Sequence, residues 1–240
     1  MRFTRAGLAL LCLGLAGPAA VADRTRLLGE SEAIEAGDCE LEVAFERRSA
    51  PAAGQERTRE RTRERDHQRA VQLGCGIGWH TELAATLTQK RRLGSSDTER
   101  SVSLEGKTLL QARSVGTLGW ALLYGVHGER SATAWRRSGQ FVELEASVQA
   151  WRAGLLYAQF GHLRDRSGRQ DSSLWSLGLE HAVNERLEVR LTLVGDDRHR
   201  PAWGTALRWS VWPEQRALTL AFNAGAAQER SLGATLSFEF

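Results

Sequence analysis

The sequence predicts an all-β fold: a transmembrane up-and-down antiparallel β-barrel of about 12 strands. Three observations support this prediction. A short apolar segment stands at the N-terminus, apolar and polar side chains alternate with a period of two residues along the rest of the chain, and the connections between these segments alternate between long and short.

The first 22 residues have the pattern of a secretory signal peptide. Arg2 and Arg5 precede an apolar run that ends in the tripeptide AVA, a small-x-small cleavage pattern. The run is shorter than the roughly 20 apolar residues of a spanning helix. Cys12 lies inside the run, which excludes a lipoprotein site. We therefore expect a short periplasmic segment over residues 23–38 and an outer-membrane barrel over 39–240.

The composition excludes several classes of function. The precursor has a formal net charge of +3, and two of its arginines lie in the predicted signal peptide, so the mature chain is nearly neutral. Mixed charge of this kind does not indicate a nucleic-acid-binding surface. No phosphate-binding loop, dinucleotide fingerprint or zinc-protease motif occurs, and two mature cysteines are too few for a zinc site. No cofactor or metal is predicted.

Six alternating segments fill the first half of the mature chain. In the first segment Leu41, Val43 and Phe45 alternate with Glu40 and Glu42, a period typical of strands. The six are CELEVAFE (39–46), AVQLGCGI (70–77), ELAATLT (82–88), SVSLEGKTLL (101–110), TLGWALLYGV (117–126) and FVELEASV (141–148).

Six more segments complete the predicted strands. In the last of them Leu232, Leu236 and Phe240 lie on one face and Thr235 and Glu239 on the other. The adjacent leucines of the first of these six break the alternation and suggest a bulge. The six are RAGLLYAQFG (152–161), LWSLGLE (174–180), RLEVRLTLV (186–194), WGTALRWSVW (203–212), RALTLAFNAG (216–225) and SLGATLSFEF (231–240).

The connections indicate how the strands are joined. Long polar connections are expected at 47–68, 90–100, 127–140, 163–173 and 195–202, and short ones near 78–81, 111–116, 149–151, 182–185 and 212–215. The last hairpin, near 226–229, is short although it falls on the long-loop side. Long loops at one rim and tight turns at the other predict an up-and-down barrel with an even number of strands. Both termini then lie at the short-turn, periplasmic rim.

The polar faces of the strands predict a charged lumen. A membrane barrel turns its apolar residues outward and lines its interior with polar groups. The candidate lumen-lining residues are Glu105, Lys107, Glu143, Glu145, Glu188, Arg190 and Arg208. The aromatics support this orientation, because Trp79, Trp120, Trp151, Trp212, Phe238 and Phe240 fall near short turns whereas Trp135, Trp175 and Trp203 fall near long loops. Such belts suit the two interfaces of a bilayer; a soluble periplasmic all-β protein is the alternative.

The final strand is expected to close the barrel onto the first, which leaves no open sheet edge. Its alternating apolar residues and its ending on Phe238 and Phe240 resemble the C-terminal signal by which bacterial outer-membrane proteins are recognised for insertion. The resemblance is to porin-like outer-membrane β-barrel proteins as a class. It implies location in the cell outer membrane, contact with outer-membrane lipid and lipopolysaccharide, and insertion by the barrel assembly machinery.

Cys39 and Cys75 form a candidate disulfide. Cys39 begins the first strand and Cys75 lies near the end of the second, both at the periplasmic rim. Antiparallel neighbours at matching height can reach the roughly 5.5 Å Cα separation that a disulfide needs, and an exported protein favours oxidation. Two buried thiols are the alternative.

Two polar stretches are candidates for chemistry. The arginine-rich segment 55–69 could bind lipopolysaccharide phosphates, but its alternating charges argue against a net attraction and favour a solvated, partly helical loop. The loop GDDRHR, with Asp196, Asp197 and His199, resembles the Asp-His site of outer-membrane aspartyl-type proteases, but no second acidic pair is evident. The H-x-S motif of outer-membrane phospholipases and lipid A deacylases is absent from the sequence. We therefore do not expect an enzyme.

The function that the sequence favours is a narrow channel or passive transporter for small hydrophilic solutes. An acidic excess in the lumen predicts cation preference, because rings of charge set the selectivity of pores. The same charges could instead pair and close the lumen. The alternative is therefore a closed barrel that acts through its extracellular loops.

Overall fold

The computed structural model describes residues 10–11, 27–28, 34–51, 63–93, 98–113, 116–131, 134–166, 170–212, 216–224 and 230–240. The predicted signal cleavage site and residues 55–62 of the arginine-rich segment lie outside these ranges. A two-residue antiparallel ladder pairs Leu10–Leu11 with Leu27–Leu28. Within the described ranges, no helix has the length and apolar character needed to cross a membrane.

Twelve antiparallel strands form one closed barrel, which confirms the predicted fold class. The strands are β1 (Cys39–Pro51), β2 (Arg63–Gly78), β3 (Thr81–Arg92), β4 (Thr98–Gln111), β5 (Gly119–Ser131), β6 (Ala134–Trp151), β7 (Gly154–Asp165), β8 (Gln170–Ala182), β9 (Leu187–Asp196), β10 (Ala202–Trp212), β11 (Arg216–Ala224) and β12 (Arg230–Glu239). Each strand pairs with the next along the chain, and β12 pairs with β1 from Arg230 opposite Ser49 to Glu239 opposite Glu40. The closing strand therefore leaves no free edge.

The strands extend farther at the extracellular rim than the sequence indicated. The predicted long loop over 127–140 is a hairpin in which β5 continues to Ser131 and β6 begins at Ala134. Similarly, β2 begins at Arg63, inside the arginine-rich segment. The alternation of long and short connections is therefore largely lost. Above the bilayer both faces of a strand meet water, so apolar alternation stops while strand pairing continues.

The periplasmic turns are short, as predicted. Trp79 and His80 join β2 to β3 with φ values of 50° and 55°. Positive φ at both central residues is the pattern of a type I′ hairpin turn, whose twist matches that of the flanking strands. Trp79 is 92% exposed at this turn. The turn therefore places an aromatic side chain at the periplasmic rim.

The barrel is apolar outside and polar inside. Leu87, Phe160 and Leu232 point outward and are 61%, 65% and 63% exposed, whereas Glu145 and Arg190 point inward and are 0% and 1% exposed. A soluble barrel would show the reverse arrangement. The exposed apolar band requires a hydrocarbon environment, so the barrel spans a membrane.

The disulfide prediction is confirmed. Cys39 and Cys75 are direct partners in the β1–β2 register, and their sulfur atoms are bonded with the Cα atoms 4.2 Å apart. The bond lies at the periplasmic ends of both strands. It therefore fixes the point at which the chain enters the barrel.

Candidate functional site: the charged lumen and its periplasmic mouth

The structure places all seven candidate lumen-lining residues on the interior face of the barrel. Their exposed fractions are 8% for Glu105, 3% for Lys107, 3% for Glu143, 0% for Glu145, 1% for Arg190 and 5% for Arg208, and the Glu188 side chain is 15% exposed. Period-two alternation carries each of them inward, since their chain neighbours face the membrane. Their low exposure shows that side chains from several walls meet in the middle of the lumen.

One group of polar side chains crosses from β4 to β8. The Lys107 Nζ atom lies 3.9 Å from Glu145 Oε1, and Gln159 Nε2 donates a 2.7 Å hydrogen bond to Glu145 Oε2. Ser176 Oγ then donates a 2.8 Å hydrogen bond to Gln159 Oε1. The chain of contacts holds the Glu145 carboxylate in place, because both of its oxygens contact a polar group.

A second group surrounds Arg190. Its guanidinium contacts the Glu180 carboxylate and lies 3.8 Å from Glu188 Oε1, with its Cζ atom 5.9 Å from the centre of the Tyr157 ring. The Tyr157 ring lies flat over Gly178, where an added Cβ would stand 1.8 Å from the ring. Glycine is therefore needed at this position to let the aromatic ring lie along the wall.

A third group lies between β10, β1 and β12. Arg208 is close enough to Glu40 and Glu42 to interact with both carboxylates electrostatically. Ser237 Oγ donates a 3.2 Å hydrogen bond to Glu42 Oε1, although the two residues are 195 positions apart. Closure of the barrel is what brings these groups together.

Several acidic residues of the lumen were not among the seven candidate lining residues. Glu40, Glu42, Glu46, Glu82 and Glu180 are each 5% exposed or less and face inward. The signal was available, since each alternates with apolar neighbours of its strand. Their omission understated the acidity of the interior.

The interior carries an excess of carboxylates. Among the described residues, eight buried glutamates accompany three buried cations, Lys107, Arg190 and Arg208. Arg48, whose side chain is 14% exposed, adds a further cation, with its Nε atom 2.9 Å from Glu46 Oε2. Among the buried side chains of the described ranges, glutamates nevertheless outnumber cations.

Part of the lumen wall is apolar, which the sequence did not indicate. Leu123, Phe141, Leu163 and Leu174 pack with Ala121 on the interior face of β5–β8. These residues occupy inward positions between the polar ones. They fill space on one side of the barrel, so the polar groups line the remainder.

The chain before β1 folds into the periplasmic mouth. Gly37 N–H donates to Gly76 O and Gly76 N–H donates to Asp38 O, each at 3.0 Å. Ile34 N–H lies 3.4 Å from Glu82 Oε2 of the interior face. An added Cβ at the inward-facing Gly76 would stand 2.2 Å from the Glu35 carbonyl oxygen. The backbone of residues 34–36 therefore crosses the lumen side of β2.

The Asp-His pair of the loop after β9 serves a local structural role. Asp196 Oδ1 accepts hydrogen bonds from the backbone amides of Arg198 and His199, at 2.8 and 2.6 Å. Asp196 Oδ2 lies 2.9 Å from the His199 ring nitrogen Nδ1. Burial alone would raise the pKa of the Asp196 carboxyl, but these hydrogen bonds outweigh burial and lower it. The pair therefore stabilises its own turn at the extracellular rim.

A closed antiparallel barrel with an apolar exterior, a charged interior and periplasmic hairpin turns defines an outer-membrane β-barrel protein of the porin-like class. The chain belongs to the family described as uncharacterised conserved protein UCP029691, whose model matches residues 10–221. No curated protein matches the chain.

Solved structures of outer-membrane channels share the fold. The COG4313 outer membrane channel from Pseudomonas putida F1 is 11% identical, with a TM-score of 0.61 over 89% of this chain and 99% of that one. The KdgM porin in complex with disordered oligogalacturonate is 7% identical, with a TM-score of 0.58 over 82% and 99%. The NanC porin is 12% identical, with a TM-score of 0.56 over 82% and 98%. At these identities the similarity concerns the fold.

Proposed function

We propose that the barrel is a narrow, cation-preferring channel for small hydrophilic solutes. The observation that carries the proposal is the carboxylate excess of the interior, where eight buried glutamates accompany three buried cations. Charged rings set selectivity because a low-dielectric wall strengthens their field along the pore. The similarity in fold to outer-membrane channels supports a transport role.

The charge of the lumen indicates which class of solute the channel would admit. Oligogalacturonate, bound by the KdgM porin, is an acidic oligosaccharide. An acidic lumen repels such a solute. We therefore infer that cations and neutral hydrophilic molecules pass in preference to polyanions.

The proposal is tested by the ion selectivity of the folded protein in a planar bilayer. The reversal potential in a KCl gradient gives the ratio of cation to anion permeability. Glu143→Gln should lower this ratio by about twofold, since one charge about 8 Å from an ion in water contributes roughly 0.5 kcal/mol. Glu185→Gln, in the exposed turn between β8 and β9, should leave the ratio unchanged.

Two results would contradict the proposed channel function. Anion preference in the unaltered protein would refute the role of the carboxylate excess. A barrel whose folding is shown by heat-dependent gel mobility, but which never opens, would refute transport.

A closed barrel is the second candidate, and a specific observation favours it. Glu145, Arg190 and Lys107 are 4% exposed or less and contact groups of opposite charge or polar partners. A lumen filled in this way can act as a polar core. In that case the extracellular hairpins carry the function, and deleting residues 34–38 would not produce conductance. Under either candidate we propose a protein without enzymatic activity.

A further inference from the structure

A groove of about 660 Å³ crosses the outer face of β3–β8. Two neighbouring cross-strand rows of outward-facing residues form its walls. The first row is Leu83, Gly106, Tyr124, Val142 and His162, and the second is Leu104, Val126, Gln140, Arg164 and Asp171. The inward-facing residues between the rows can contribute only backbone to the outer face, and they form its floor.

The depth of the groove comes from a missing side chain. Gly106 lies directly opposite Tyr124 in the β4–β5 register, and an added Cβ at Gly106 would stand 2.5 Å from the Tyr124 ring. The ring can therefore lie flat over Gly106 where two ordinary side chains would stand out from the wall. A depression remains between Leu83, Leu104 and Val142.

The groove runs from one membrane interface towards the other, and its lining changes from apolar to polar along this direction. Its lower end is apolar, with Leu83, Leu104 and Val142 exposed by 45%, 57% and 47%. Leu83 is the third residue of β3 and lies near the periplasmic rim. Its upper end lies at the extracellular rim, where Arg164 is the second-last residue of β7 and Asp171 the second residue of β8. The upper end therefore stands at the height of the outer-leaflet headgroups.

Two arginines neighbour Gln140 at the polar end of the groove. Arg137 donates a hydrogen bond to Gln140 Oε1, and Arg164 is the register partner of Gln140 on β7. Beside them, His162 Nε2 lies 3.8 Å from Asp171 Oδ2. Among the outward-facing residues of the groove lining, Asp171 carries the one carboxylate, since the side chain of the lining residue Glu105 faces the lumen. Arg164 of the lining and Arg137 beside Gln140 together outweigh this charge, so this end is net positive at neutral pH.

We propose that this groove binds a phosphorylated, acylated lipid of the outer leaflet, with an acyl chain along the apolar end and a phosphate on Arg137 and Arg164. Guanidinium groups match phosphate oxygens in a two-point geometry. The apolar end opens into the hydrocarbon layer, where an acyl chain is the available occupant. A free phosphate ion would leave that end of the groove unused.

The test measures lipid retention by native mass spectrometry on the full mature protein. Bisphosphorylated lipid A is the probe, and lipid A lacking its phosphates is the comparison. The double variant Arg137→Gln/Arg164→Gln should bind lipid A about tenfold more weakly, the effect of losing one strong charge-assisted contact. Arg91→Gln is the matched control, since Arg91 is exposed in outward register at the same rim, on β3. It should bind like the unaltered protein.

A second variant tests the apolar end independently. Val126→Trp replaces an outward-facing valine of the groove by a larger apolar side chain and leaves the charge of the groove unchanged. Lipid A retention should again fall about tenfold, as expected from the loss of part of a buried acyl chain, while heat-dependent gel mobility shows a folded barrel. Equal retention by the double variant and the unaltered protein would overturn the proposal. Equal retention of the dephosphorylated lipid, or no effect of Val126→Trp, would overturn it as well.

Discussion

Replacing Gly76 by alanine should release residues 34–36 from the periplasmic mouth of the barrel. The added Cβ would stand 2.2 Å from the Glu35 carbonyl oxygen and 2.4 Å from that of Ile34. β2 cannot move aside easily, because Cys75 is bonded to Cys39 and Gly76 pairs with Glu82 of β3. Residues 34–36 belong to no strand of the barrel, so they must move instead.

The magnitude follows from the contacts that the segment would lose. Gly37 donates to Gly76 O and Gly76 donates to Asp38 O, each at 3.0 Å. At roughly 0.5–1.5 kcal/mol net for each hydrogen bond, the loss is about 1–3 kcal/mol. The ratio of docked to undocked segment should therefore fall by about 5- to 150-fold.

The assay is amide hydrogen exchange at Gly37, together with single-channel conductance. Exchange at Gly37 should accelerate in Gly76→Ala by the same factor, and conductance should rise because the mouth widens. Gly74→Ala is the matched control on the same face of β2, since its Cβ would meet the mobile end of the Glu82 side chain at 3.1 Å and Ile34 Cδ1 at 3.5 Å. Unchanged protection of Gly37 in Gly76→Ala would refute the docking of the segment in the mouth.

Two further predictions concern stability, measured by denaturant unfolding in lipid vesicles. Removing the disulfide with Cys39→Ser/Cys75→Ser should lower the free energy of unfolding by about 3–4 kcal/mol, because the bond closes a sequence separation of 36 residues. An unchanged unfolding midpoint under non-reducing conditions would contradict this prediction. Arg190→Met should cost about 3–5 kcal/mol, since it removes the buried cation in contact with Glu180. Arg91→Met, at an exposed position, is the control. A loss of unfolding free energy below about 1 kcal/mol for Arg190→Met would contradict the prediction, because the Arg190–Glu180 pair would then contribute no more than an ordinary surface ion pair.

Much of the fold could be predicted because period-two alternation is a local property of the chain. Residues such as Leu41, Val43 and Phe45 alternate with glutamates whether or not the rest of the chain is considered. The alternation sets which face each residue occupies, and it therefore places Glu145 and Arg190 inside without any knowledge of their neighbours. Cys39 and Cys75 align because they lie on strands that follow one another in the chain and pair directly.

The extracellular half was predicted less well, for a physical reason. Hydrophobic alternation reports contact with lipid, and it ends where the strand leaves the bilayer. The β5–β6 hairpin continues to Ser131 and Ala134 through polar residues such as Glu129 and Arg130, so its sequence reads as polar loop. The sheet is extended by backbone hydrogen bonds between the two strands, and these bonds do not depend on the polarity of the side chains.

The sequence by itself determined the number of strands, the face of each residue and the inside-out character of the barrel. Only the tertiary structure decided which charges meet in the lumen, because the height of a residue depends on the register of every strand pair around the closed barrel. Glu42 and Ser237 share a hydrogen bond across 195 positions, and Ile34 reaches Glu82 only because the chain turns inward before β1. The first contact depends on the register of β12 against β1 and the second on the turn before β1, and no local pattern of residues encodes either.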